Sequence, residues 1–469
     1  MKTLNYLQAV AVCTVYSNDN SAYVPQMWAQ ESLAILEENM VAANLVHRDF
    51  SPLIASYGDT VNTRRPSKFT AIRKTGTENV TDQDAVATNV PVVLDQLFHV
   101  TFVIYDAEAS KSFKDLVTEY MRPAMLAHAQ AIDKVVLGQV SNFMGNSYGT
   151  LNGLTVNNAI DGILGTREIM NRNLAYVDGR NLILTPSTET TLLNLPIFTQ
   201  ANQVGDQGQA LANAYIGRKY GFGTYMSQHM SSVAVTPTVD ATYRTNAAAA
   251  AGATTLALKT GTTLFDNNTW FTVAGSGVPH RVVTGGQSTA TSITFTPALS
   301  GAVLDSAVVT FTVPGAVELT AGYAAGYNKE IIVDGLTVAP KIGQLVSFSN
   351  TANSPVYTII NVSTYAGPSY GLTLDRSLSV AVADEDEVNL SPMGEYNFAF
   401  HKNAIALVTR PMELPRQGIG AASANVNYNG LSVRVVMTYD GKAQGTRVTL
   451  DILAGIKTLD TNLGAVFVA

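Results

Sequence analysis

The chain carries a single cysteine, Cys13, so no disulfide can close within it, and thiolate-rich zinc sites are excluded. Charge is scarce too. Asp, Glu, Lys and Arg make up 14% of 469 residues, against roughly 25% in ordinary globular domains. That much neutral surface suits a subunit that buries its faces against copies of itself. Acids outnumber bases, 36 to 29, for a formal net charge of −7. A strongly basic reader of nucleic-acid sequence is thereby excluded, and any DNA contact is expected to be non-specific. No apolar run approaches the ~18 residues that a membrane helix needs. Residues 1–16 are mildly apolar, but Asn5 and Gln8 interrupt them and no small-x-small pattern follows, so no signal peptide is expected. The six histidines form no HExxH pattern, and neither a GxSxG elbow nor a GxxxxGK[ST] loop is present. No catalytic residue, metal site or cofactor is predicted. The acid run at 384–387 (DEDE) reads as a solvated turn.

What the chain does have is a long two-faced helix at residues 112–143. Phe113, Leu116, Val117, Tyr120 and Ala124 recur at helical spacing, and Met121, Met125, Ile132, Val136 and Val140 form a second stripe. Ser112 with Asp115 marks its start as a capping box. At 1.5 Å per residue it would run to about 45 Å. Pro123 falls inside it, where a proline removes a hydrogen bond and bends the axis, so Pro123 is the candidate hinge. His128, Asp133 and Lys134 on the same helix read as ordinary satisfied groups.

Ahead of this helix, residues 25–46 read as an amphipathic arm, with Trp28, Leu33, Leu36, Met40 and Ala43 near one face. Residues 58–94 then read as a two-stranded ribbon. Its outbound limb is basic (Arg64, Arg65, Lys68) and its return limb acidic (Glu78, Asp82, Asp84). The ribbon has too few apolar side chains for a core of its own, and an isolated hairpin is marginal in water. These six residues, with Trp28 on the arm, are the candidate contacts between subunits. Residues 96–106 form a strand that feeds the long helix. From 145 to 230 the pattern is α/β, with helices at 165–173 and 187–195 flanking a buried strand at 181–185.

At Pro237 the composition changes. Residues 245–317 hold four charged groups, Lys259, Asp266, Arg281 and Asp305, among short alternating strands. A relative of this module follows directly. Residues 256–258 match 331–333 and 270–273 match 345–348, both at an offset of 75; 280–284 match 357–361 at 77, and 293–300 match 372–379 at 79. Order is kept while the offset grows through loop insertions, which predicts two tandem all-β modules. Residues 395–414, 431–439 and 446–468 return to strands and should close the sheet opened by 96–106. Residues 237–394 are therefore an insertion into a discontinuous core, expected to fold as an independent unit.

This order of parts resembles the major capsid (coat) proteins of tailed double-stranded-DNA phages, the Hong Kong 97-type fold, and most of all the short-tailed-phage coat type with an inserted β-domain. The resemblance lies in 24–28 (VPQMW) and 45–49 (LVHRD) as an N-terminal arm, and in 58–61 (GDTV) as the start of the extended loop. It continues in 111–142 as the spine helix, in 397–401 (NFAFH) with 404–408 (AIALV) after the insertion, and in 451–457 (DILAGIK) as closing strands. It implies an α+β chain divided into an arm (1–52), an extended loop (53–95), a P-domain strand and spine helix (96–150) and an A-domain (151–236). The inserted domain (237–394, modules about 245–316 and 317–394) and return strands (395–469) follow. It also implies a non-enzymatic shell subunit that forms hexamers and pentamers of an icosahedral phage head. The expected partners are copies of itself, a scaffolding protein, a portal, decoration or head-fibre proteins and packaged double-stranded DNA, with no membrane. The place is the virion capsid, assembled in the bacterial cytoplasm. The inserted domain is expected to project outward or brace adjacent subunits. An encapsulin-type cargo shell is the alternative within the fold, and a secreted carbohydrate-active β-protein the alternative outside it.

Overall fold

The computed structural model describes residues 23–49, 56–65, 69, 71–74, 76, 82–83, 88–105, 120–199, 216–233, 239–259, 265–284, 292–312, 320–336, 339–349, 354–365, 369–392, 394–416, 421–428, 430–442 and 444–469. Helix α1 (Tyr23–Asn39) turns its apolar stripe inward: Trp28, Leu33, Leu36 and Met40 are all buried. It packs on helix α2 (Arg122–Gly138) and on the strands Ala421–Tyr428 and Leu431–Asp440. The arm ends sooner than expected as an α-helix, and a 3-10 turn, Ala42–Asn44, carries it on. The carboxylate of Asp133 on α2 clamps that turn by accepting from Val41 N at 2.8 Å and Ala43 N at 3.0 Å. Burial pushes the Asp133 carboxyl up, and these N–H donors pull it partly back.

The long helix differs from its expected extent. A π turn at Tyr120 and Met121 leads into α2, and from Gln139 to Asn146 the chain tightens to a 3-10 helix. Residues 106–119 lie outside the described residues. Pro123 consequently sits in the first turn of the described α-helix, where a missing N–H costs little. The neighbouring π turn is itself a recognised site of helix bending.

Two sheets build the body. In the first, Gly445–Thr458 pairs with Leu431–Asp440 on one side. On its other side it pairs with Gln96–Tyr105 along residues 445–454, while Ile405–Arg410 follows Leu431–Asp440 on the first side along 453–458. The return strands therefore close the sheet begun by Gln96–Tyr105. Phe102 in that strand stacks on Trp28 at 6.3 Å and on Tyr120 at 5.6 Å, tying arm, strand and helix together.

The second sheet runs Ser147–Gly149, Gly464–Val468, Gly394–His401, Arg180–Leu184, Phe222–Met226, Arg218–Lys219. Helix α3 (Ala159–Arg172) starts earlier than its sequence pattern placed it and lies flat on this sheet. It can do so because Gly162 faces the Phe467 ring, where a Cβ would come within 2.1 Å of Cε2. The next helix, Pro186–Leu193, is capped by the Thr185 hydroxyl: Pro186 takes the first helical position, and Thr185 Oγ1 accepts from Thr188 N.

The insertion leaves and re-enters through paired strands, since Ser231–Val233 and Gly394–His401 lie side by side. Its first module is a closed six-stranded barrel ordered Thr255–Lys259, Ser292–Thr296, His280–Thr284, Trp270–Val273, Val308–Thr312, Val239–Thr245. The second is a five-stranded sheet ordered Ile331–Val333, Tyr370–Leu374, Tyr357–Thr364, Leu345–Phe348, Val388–Leu390. The five strands repeat the barrel's order, and each module encloses its own apolar core. Asn268 joins them: its side chain donates to Phe348 O at 3.1 Å and accepts from Ser354 N at 2.8 Å and from Arg281 at 2.5 Å.

The insertion does not stand clear of the body. Thr358 Oγ1 donates to Gly138 O at 2.7 Å, and Gln139 Nε2 donates to the buried Asp375 carboxylate at 3.1 Å. A Cβ on Gly138 would sit 2.5 Å from Asp375 Cβ, so glycine is required at the end of α2. The first barrel meets the second sheet where Leu151 N donates to Gly277 O at 2.7 Å. Both modules thus dock on their own subunit, the second through the side chains of Thr358 and Asp375 and the first through a backbone hydrogen bond at Gly277.

Candidate functional site

Among the described residues, the ribbon has support from its own subunit only at its root. Its base is tied by Gly58 N to Leu94 O and by Leu94 N to Asp59 O, both at 2.8 Å. Thr60–Arg65 then pairs with Thr88–Val93 in register, Arg64 opposite Asn89 and Arg65 opposite Thr88. Val92 and Leu94 are buried against Ala406, Val408 and Leu453 of the first sheet. Beyond this root the two strands pair with no other sheet among the described residues. Asp59, Asn62 and Asn89 are exposed, and the large apolar side chains of Phe69 and Ile72 are 64% and 58% exposed. Isolated hydrophobic side chains on a two-stranded ribbon have no core to join.

The predicted contact residues divide as follows. Arg64 and Arg65 lie in the outbound strand, and Asp82 is exposed on the return limb. Lys68, Glu78 and Asp84 fall outside the described residues. Trp28 is a correction: at 3% exposure, stacked on Phe102, its ring is spent inside its own subunit and is not a contact surface. Pro123 is exposed beside the π turn.

A second surface was not read from the sequence. After α3 the chain turns at Leu174, whose φ of +56° is left-handed. Leu174, Tyr176 and Val177 are 88%, 65% and 61% exposed. A left-handed non-glycine residue costs about 1 kcal/mol or more, yet here a leucine takes that conformation and points its side chain into solvent. The available signal was the apolar run 174–177 (LAYV) in a loop between helix and strand.

Chemistry is sparse by comparison. Among the described residues no three His, Cys, Asp or Glu side chains stand close enough to hold a metal ion. His128 and His280 are buried and hydrogen-bonded to the carbonyls of Leu450 and Pro297, at 3.1 and 2.8 Å. Burial pushes each down to about 4. In the acid run, Asp386 accepts from Ala383 N at 2.6 Å and Glu387 N donates to Ser349 Oγ at 2.9 Å, as an ordinary turn does.

No family model and no curated protein sequence matches the chain. Solved structures to which it is similar include one from Mycobacterium phage Che8, at 13% identity and a TM-score of 0.40, covering 91% of this chain and 90% of that one. A capsid structure of the cyanophage P-SCSP1u is similar over 91% of this chain and 87% of that chain, at 10% identity and a TM-score of 0.42. The mature capsid of bacteriophage PhiM1 is similar over 91% and 86%, at 9% identity and a TM-score of 0.38.

Proposed function

We propose that the chain is the major capsid subunit of a tailed phage, assembling into hexamers and pentamers of an icosahedral shell around double-stranded DNA. One observation carries this reading: a rooted ribbon leaves the body with exposed Phe69 and Ile72 and, among the described residues, pairs with no other sheet. Such a segment gains order by lying on a neighbour, and a head-to-tail contact of that kind closes into rings. The Leu174, Tyr176 and Val177 surface supplies a second contact, at the capsomer centre if residues 151–236 act as an A-domain. Residues 1–52, 53–95, 96–150, 237–394 and 395–469 then serve as arm, extended loop, P-domain, inserted domain and return strands. A scaffolding protein, a portal and decoration proteins would be the partners, with assembly in the bacterial cytoplasm. The net charge of −7 suits a container in which DNA slides.

The test is negative-stain microscopy of the chain expressed with and without its scaffold. Closed shells or capsomer rings are expected, and reversing Arg64, Arg65 and Lys68 to Glu should abolish them while leaving a folded subunit. A chain that stays monomeric under all these conditions would overturn the reading. The π turn and Pro123 form the hinge by which the spine helix bends in a precursor shell and straightens on expansion. Pro123→Ala frees the φ that proline fixes beside the π turn, so mutant precursors should expand at a lower temperature in a heating series read by gel mobility. Equal expansion temperatures would reduce Pro123 to a fixed feature of the helix start.

A further inference from the structure

Where α2, the turn after Phe222–Met226 and the second inserted module meet, an open pocket of about 420 Å³ is lined by Lys134, Gln228, His229 and Lys341, with an apolar wall that includes Met230 and Ile342. Lys134 is half-buried and Lys341 exposed. No acidic side chain lines the pocket, and none among the described residues pairs with either lysine. Two ammonium groups facing one cavity without a counter-charge is an unfinished arrangement, because a partly desolvated cation is costly until an anion joins it. Burial holds the Lys134 ammonium below its usual value, and burial together with Lys134 does the same to the His229 imidazole. A concave pocket with an apolar wall fits a carboxylate carried on a peptide strand; a DNA duplex is convex and cannot enter it.

The return limb of the ribbon has the matching chemistry. Residues 78–86 (ENVTDQDAV) hold Glu78, Asp82 and Asp84 without one basic residue, interleaved with Val80 and Val86. We propose that the Lys134–His229–Lys341 pocket is the receptor for the acidic limb of the ribbon from a second copy of this chain. The pairing rests on the shell reading above and adds to it the place where the ribbon lands.

The experiment uses the full chain in a Cys13→Ser background. Copies carrying Asp82→Cys are mixed with differently tagged copies carrying Lys341→Cys, assembled and oxidised. A disulfide-linked pair bearing both tags is expected from assembled material and absent from unassembled subunits. In parallel, Lys134→Glu with Lys341→Glu should cut the assembled fraction at least tenfold. Adding Glu78→Lys, Asp82→Lys and Asp84→Lys should restore it to within about threefold of the parent. Lys341→Glu alone, at an exposed position, keeps the test open if the double variant fails to fold, and should cost several-fold on its own. Parental assembly by the lysine variants, no recovery on charge exchange, or no mixed-tag product would overturn the pairing while the parent still forms shells. Failure of the parent to assemble would instead overturn the shell reading and this inference with it.

Discussion

Acidification from pH 7 to 4 should destabilise the unassembled subunit through two histidines. His128 and His280 are both held near a pKa of about 4, against 6.5 in the unfolded chain, chiefly by burial. The unfolded chain takes up these protons below pH 6.5, and the folded chain does so only below about 4. Stability is therefore present at neutral pH and lost as pH falls through that window, by about 3 kcal/mol per histidine at its lower end. At His280 burial favours the neutral ring. Nδ1–H donates to Pro297 O at 2.8 Å, and Nε2 accepts from Ser276 Oγ at 2.9 Å between the rings of Phe271 and Phe295. At His128 the carboxylate of Asp451 favours the proton and His99 opposes it, both weaker than burial. Asp133 and Asp375 act in the opposite sense. Their folded pKa values are raised by burial, so what they contribute grows as pH falls. Urea denaturation at a series of pH values should show the parent falling across this window, and His128→Gln and His280→Gln should each flatten the fall by up to about 1.4 kcal/mol per pH unit. Superimposable pH profiles for parent and variants would show that these rings do not carry the effect.

Asp375→Ala should cost about 3–5 kcal/mol, the range for stripping one partner from a buried ion pair. The Asp375 side chain is fully buried, and Arg376 Nη1 reaches it at 2.7 Å with 22% of its own side chain exposed, which places the effect toward the lower end. The same carboxylate accepts from Thr358 N at 2.8 Å and from Gln139 at 3.1 Å, so its loss orphans donors on both sides of the junction between α2 and the second module. Burial outweighs Arg376 in setting its proton affinity, and the carboxyl is pushed up. Asp375→Asn keeps an acceptor for Thr358 N but not the charge for Arg376, and should fall between parent and alanine variant. Limited proteolysis should then cut first around the second module, while the first barrel, closed on itself, stays resistant. A variant within about 0.5 kcal/mol of the parent would mean that the junction is held elsewhere.

The tandem modules were legible because each strand carries period-2 alternation and the matches recur in order at nearly constant offset. The helix Arg122–Gly138 was legible from its wide apolar stripe, but its end was not. Beyond Gly138 the residues Val140, Phe143 and Met144 continue the buried apolar stripe while the backbone tightens to a 3-10 form, and the stripe does not separate the two. Trp28 was misassigned because an amphipathic stripe states that a face is covered, not whether its own chain or a neighbour covers it. Asp133 and Asp375 could not be read at all as clamps. Their partners lie 90 and 236 residues away in sequence, and only the fold brings them together. The Lys134–His229–Lys341 pocket was hidden for the same reason, since it is assembled from three separate stretches of chain.

The strand Gly445–Thr458 pairs along ten residues with Gln96–Tyr105, and the last strand, Gly464–Val468, lies between Ser147–Gly149 and Gly394–His401. Both body sheets thus wait for residues 445–468 to leave the ribosome. The inserted barrel has all six of its strands between residues 239 and 312, so it can fold while the chain is still being made. During synthesis, then, the edges of Gln96–Tyr105 and Ser147–Gly149 stand open for the time needed to add more than three hundred residues. Unpaired edges at high local concentration invite joining between neighbouring nascent chains on one messenger. A chain cut just before Gly464 would leave the Ser147–Gly149 edge open permanently, which makes Gly464–Val468 the strand that completes the second sheet.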